Sequence, residues 1–148
     1  MPQGLLTIRR GKRTDLPALA PLLPFFTSHD LDKKQTQHWR RLVSDPAHDF
    51  YVAEHQEALQ GMVLVSYIRT LTCLGWLAIL DLAVSPSASG DIYTALIAFA
   101  KGRAHKRGCQ RIIVSTRSGE QQMPLTSLLE TGFLRTGEVL SCPLQETP

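Results

Sequence analysis

Trp76-Leu77-Ala78-Ile79-Leu80-Asp81-Leu82-Ala83-Val84-Ser85-Pro86 is followed directly by Ser87-Ala88-Ser89-Gly90-Asp91-Ile92-Tyr93-Thr94, and between the two the periodicity of the chain changes. The first part is almost continuously apolar, the pattern of a central strand covered on both faces. Beyond the loop, Ile92, Ala95, Leu96, Phe99 and Ala100 recur at helical spacing on one stripe, and Lys106, Arg107 and Gly108 supply a cationic last turn and a left-handed stop. A strand that runs through small residues into a helix presents free N–H groups and the positive end of the helix dipole, a seat for a phosphate-bearing ligand.

On the N-terminal side, Leu5–Arg9 has the composition of a strand, and Thr14-Asp15-Leu16-Pro17 opens a helix that Pro21 and Pro24 bend or stop by Leu23. A second, mostly solvated helix is expected from Asp32 to Val43, before Asp45-Pro46. Phe50–Glu54 and Leu59–Ile68 flank His55-Gln56-Glu57 as an antiparallel hairpin, and a turn near Thr72–Gly75 leads into the opening stretch. On the C-terminal side, Arg111–Ser115 is a strand reached by a helical crossover and therefore parallel to its predecessor. A short helix over Pro124–Glu130 and a last strand over Glu138–Leu144 complete the order. The fold class this predicts is α/β (α+β): a mixed, mostly antiparallel central sheet with helices on both faces, in one domain over residues 1–148.

The 148 residues are 43% hydrophobic, and 16 Lys and Arg against 13 Asp and Glu leave a net charge of +3, too diffuse to demand nucleic acid. Nucleic acid is disfavoured as a partner also because aromatic and basic residues do not interleave. Three cysteines, Cys73, Cys109 and Cys142, have neither CxxC nor mixed Cys/His spacing, and the five histidines have none of the spacings that hold a metal. The expectations are no metal, no disulfide framework and a cytoplasmic setting. Asp81 interrupts the longest apolar run, so no membrane partner is expected.

Taken together, Asp81-Leu82-Ala83-Val84-Ser85-Pro86, the helix from about Gly90 to Arg107 and the late Leu128-Leu129-Glu130-Thr131-Gly132-Phe133 resemble the GNAT superfamily of acyl-CoA-dependent N-acyltransferases. The similarity extends over nearly the whole chain. It implies acetyl-CoA or CoA as co-substrate, its pantetheine arm paired to the exposed main chain of Leu82, Ala83 and Val84, and its diphosphate on the loop and first helical turn: Ser89, Gly90, Asp91, Ile92, Tyr93 and Thr94. The implied acceptor is a small-molecule or peptide amine, and a homodimer is compatible with the pattern.

The loop departs from the family's pattern. Ser89 stands near the usual Arg or Gln, Gly90 is the only glycine, and Asp91 brings a negative charge to the anion seat. At about 4 Å and an effective dielectric of about 20, that repulsion is on the order of 4 kcal/mol per charge pair. Asp81, the one charged residue of its strand, is the candidate base for the amine proton if burial raises its pKa; alternatively it caps a loop or pairs with an arginine. The tyrosine that serves this family as acid for the departing thiolate is replaced by Leu128, leaving Ser127 and Tyr93 as hydroxyl candidates, or solvent, while Gln121 lies near a frequent asparagine. The cluster Arg103–Arg107 is either a solvated helix end or an anion site. Two functions follow: an N-acetyltransferase acting on a primary amine by direct transfer, or a non-catalytic GNAT-like module that binds a CoA ligand or a partner.

Overall fold

A computed structural model describes residues 5–23, 33–88, 90–114, 125–137 and 140–144. Five strands form a single sheet in the order of the chain: β1 (Thr7–Arg10), β2 (His48–His55), β3 (Ala58–Ile68), β4 (Trp76–Val84) and β5 (Cys109–Val114). The first three junctions are antiparallel and the β4–β5 junction is parallel, because the helix α3 (Gly90–Lys106) carries the chain back between them. The mixed, mostly antiparallel sheet expected from the sequence is the one observed.

Before β2, the proline-rich segment is a chain of short pieces: a 3-10 turn at Arg13–Asp15, the helix α1 (Leu16–Leu19) and a second 3-10 turn at Ala20–Leu22. Pro17 is tolerated in the first turn, and Pro21 prevents continuation as an α-helix. The helix α2 (Lys33–Ser44) follows, and its Trp39 anchors it: the indole N–H donates to the Arg13 carbonyl at 3.2 Å and the ring meets Phe50 edge-on at 4.9 Å.

Side chains alternate across the sheet, so its two faces have separate cores. Phe50, Val52, Met62 and Ala83 face α1 and α2, burying Leu16, Leu19, Leu22 and Trp39. Tyr51, Val63, Val65, Ala78, Leu80 and Val84 face α3, whose Ile92, Leu96 and Ala100 form the predicted stripe. Helices therefore lie on both faces. The helix α3 ends as its sequence requires, with Gly108 at φ +76 after a cationic last turn. Gly61 lets it approach closely: a Cβ there would stand 3.0 Å from the Ala83 carbonyl oxygen and 3.2 Å from Leu96 Cδ1.

Two expectations are corrected. The strand β4 is not covered on both faces along its length, since Ile79 and Asp81 are exposed on the side opposite α3. The described residues 140–144 form no strand, and positions 138 and 139 lie outside the described residues. The short helix before them is present as α4 (Leu125–Glu130), which Gly132 at φ +100 closes while the Phe133 N–H donates to the Leu128 carbonyl at 3.1 Å.

Candidate functional site

The junction that opened the sequence reading has a specific geometry. Pairing between β4 and β5 runs from Trp76↔Cys109 to Leu80↔Val114, whereas pairing between β3 and β4 continues through Leu64↔Asp81 to Gly61↔Val84. From Asp81 to Val84, β4 thus has a partner on one side only among the described residues. Residues 115–124, which follow β5, lie outside the described residues, and along 81–84 the main-chain donors and acceptors on that side have no described partner, the kind of edge an extended amide-bearing ligand pairs with.

Beyond this edge the ladder closes tidily. The Ser85 N–H donates to the Gln60 carbonyl at 2.8 Å, and the Ala88 N–H donates to the Ser85 carbonyl at 2.9 Å, making a turn over Pro86 and Ser87. The side-chain hydroxyls of Ser85 and Ser87 lie 3.0 Å apart. The helix α3 then begins at Gly90, where a Cβ would meet nothing within 4 Å, so a ligand can approach its main chain. Ser89 lies outside the described residues.

The first turn of α3 contains the remaining residues that the resemblance assigns to the cofactor. Ile92 is buried in the core and contributes only its main chain, while Thr94 is exposed and directs its hydroxyl to the Gly90 carbonyl at 3.4 Å. Tyr93 is half-buried against the α3-side core, and burial pushes its hydroxyl pKa up. Asp91 is exposed in this turn, where it already complements the helix dipole. Its exposure weakens the repulsion expected from the sequence: in water-like dielectric the same pair at about 4 Å costs about 1 kcal/mol.

Asp81 sits at the start of the stretch with no described β5 partner, on the face of the sheet away from α3. It is exposed, so the burial anticipated for a pKa-raised base is absent. Leu128 is 2% exposed and plugs the inner face of α4; Ser127 beside it is half-buried, and its carbonyl accepts from the Thr131 N–H at 3.2 Å. Gln121 lies outside the described residues.

Arg103 and Arg107 are neither merely solvated nor available as an anion seat, because they already have an anion. Asp49 on β2, 0% exposed, accepts from the Tyr67 hydroxyl at 2.6 Å, from Arg103 Nε at 3.3 Å and from Arg107 Nη2 at 3.1 Å. Burial alone would raise its pKa, but the Tyr67 hydroxyl and the two guanidinium groups outweigh that and hold it below the usual carboxylate value. The same contact and burial push the Tyr67 hydroxyl well above its ordinary range. Asp49 pairs with Val65 on β3, four residues from Gly61, the partner of Val84, and it lies on the α3 side of the sheet, opposite the face that bears Asp81. Its work is to clamp the C-terminal end of α3 to the sheet.

Among the described residues, no group of three His, Cys, Asp or Glu side chains is placed to hold a metal ion, and no helix is long and apolar enough to cross a membrane. A comparison with curated proteins finds no match. Among solved structures, the chain is similar to a transcriptional regulator from Bacillus halodurans C-125, with 25% identity and a TM-score of 0.82 over 95% of this chain and 100% of that one. It is similar to a predicted acetyltransferase from Clostridium acetobutylicum solved with acetyl-CoA, at 16% identity and TM-score 0.72 over 95% and 97% of the two chains. It shares the fold of AAC(6')-Iy in complex with the bisubstrate analogue CoA-S-monomethyl-acetylneamine, at 18% identity and TM-score 0.76 over 95% and 99%. Residues 16–133, which include every element from α1 to α4, match the acetyltransferase (GNAT) family, and the chain belongs to that family.

Proposed function

We propose that the protein transfers an acetyl group from acetyl-CoA to a primary amine by direct attack in a ternary complex. The observation that carries this is the junction of β4 with α3, where residues 81–84 have no β5 partner among the described residues and lead into the N-terminus of a 17-residue helix at Gly90. Those main-chain groups suit the two amides of a pantetheine arm, and Gly90 leaves room for a diphosphate beside the first turn of α3. Acetyl-CoA, when bound, supplies the acyl thioester. The chain's own residues hold and orient: Leu82, Ala83 and Val84 through the strand edge, Gly90, Asp91, Ile92, Tyr93 and Thr94 through the helix start, and Ser89 in the loop between them. Asp81, exposed at the strand edge, takes the ammonium proton through water, since an amine that titrates near 10.4 must be deprotonated before it attacks. A solved structure with acetyl-CoA among those of the same fold supports this assignment of the co-substrate.

Leu128 favours a second function. A buried leucine where the family resemblance places an acid leaves the thiolate to solvent or to Tyr93, which suits a module that binds CoA or a partner and transfers nothing. Calorimetry with acetyl-CoA and CoA, followed by thiol release across a panel of amines, separates the two. Binding with thiol release is expected. Asp81→Asn should then lower kcat by about 10²-fold or more while leaving acetyl-CoA affinity within about twofold. Binding without thiol release establishes the module instead, and no heat at millimolar acetyl-CoA overturns the transferase and leaves only a partner-binding module. Asp91→Asn should tighten CoA about fivefold, the equivalent of the roughly 1 kcal/mol repulsion of an exposed charge.

A further inference from the structure

The face of the sheet that bears Asp81 changes character from one side to the other. Over β2 and β3 it is sealed by α1 and α2, with Phe50, Val52 and Met62 buried. Over β4 and β5 the cover ends. Ile79 and Ile113, direct neighbours across the parallel junction, remain 39% and 37% exposed, while the opposite face at Ala78 and Leu80 is buried under α3. Two residues beyond Ile79 on the same face, about 7 Å along the strand, is Asp81, one residue past Leu80↔Val114, the last described pair of β4 and β5.

The charge on this face is as informative as its apolarity. Asp81 is the only acid in β3, β4 and β5 together, and α2, which lies on the same side of the sheet, contains Lys33, Lys34, Arg40 and Arg41 with no acid at all. One carboxylate can hold one ammonium. A second or third cation on the acceptor would find no counter-charge on these strands.

We infer that the surface formed by Asp81, Ile79 and Ile113 selects an acceptor with a single amine on an aliphatic arm, against polycationic amines. Its chemistry rests on the transferase function proposed above: the ammonium meets Asp81 at the open edge and surrenders its proton there. The arm lies back over Ile79 and Ile113, removing their exposed surface from water.

The test uses the full chain with propylamine, butylamine, hexylamine and spermidine, reading binding by calorimetry in saturating CoA and turnover by thiol release from acetyl-CoA. Affinity and kcat/KM should rise about fourfold per methylene from propylamine to hexylamine, and spermidine should fall below hexylamine. Ile113→Asn, at a site exposed enough to accept a polar side chain, should cut the rise to under twofold per methylene, as should Ile79→Thr, each with unchanged CoA affinity. A flat dependence on chain length, a preference for spermidine, or no amine binding at all overturns the inference. Length-dependent binding without thiol release upholds the acceptor surface and removes the transferase function, whereas thiol release with a flat dependence does the reverse.

Discussion

Asp49 shows how much one carboxylate can organise. With no exposure to solvent it stays ionised only because Tyr67, Arg103 and Arg107 surround it, and Arg107 also lies over the Tyr67 ring at 4.7 Å while donating to the Pro46 carbonyl at 3.3 Å. Asp49→Ala should cost about 3 kcal/mol in urea unfolding, the low end for breaking a buried pair, because both arginines keep part of their hydration. Asp49→Asn should cost less, since an acceptor remains. The sequence leaves Arg103–Arg107 as either a solvated helix end or an anion site, and names neither Asp49 nor Tyr67 as its partner. A signal was there: arginines four apart continue the side of α3 that carries Phe99 and Ala100. What one chain cannot show is which carboxylate awaits them, because that depends on how β2 and α3 are placed in three dimensions. Asp81 illustrates the converse, since its strand and candidate role were legible while its exposure depends on where α1 and α2 stop covering the sheet.

At the scale of elements, the legible parts were those with strong periodicity. The extended run of β4, the stripe of α3 and its Gly108 stop express local rules, and all three lie where the residue pattern put them. The register of the β4–β5 pairing is not legible from periodicity, because register is a relation between strands and the pattern of either strand alone is silent on it. The hairpin between β2 and β3 closes through a two-residue turn in which Gln56 and Glu57 both have positive φ, 53 and 63. Such a turn favours Asn-Gly, and side chains in the left-handed region are strained there. Glu57→Gly should therefore raise stability by about 0.5–1 kcal/mol, read as a higher urea midpoint with unchanged m-value, the relief of strain being partly offset by a freer unfolded chain.

For the whole molecule, two ionic clamps tie helices to strands. Arg9 grips Asp15 through two hydrogen bonds of 2.9 Å and Glu54 through a third of 3.0 Å, joining β1 to the turn before α1, and Asp49 joins β2 to α3. The Arg9 contact, aided by the Lys12 N–H, holds Asp15 below its ordinary pKa of 3.8, as the Asp49 cluster does Asp49. Carboxyls depressed in the folded state contribute stability that is complete above their unfolded value and is lost as pH falls through the folded one. Tyr67, raised from 10.0, contributes stability that is complete below that value and is lost as pH rises beyond it. The urea midpoint should thus show an acid limb below about pH 4 and an alkaline limb above about pH 10, with Asp49→Asn flattening both; an unchanged alkaline limb in that variant would separate Tyr67 from the cluster. Gly61 has a consequence for the proposed cofactor seat as well. Because Leu96 rests directly on it, the missing side chain acts as a gauge for the height of α3 above the sheet, and hence for the position of the amides in its first turn. A methyl group added there would lift the helix from beneath, so the proposed anion seat can be retuned from a buried strand position.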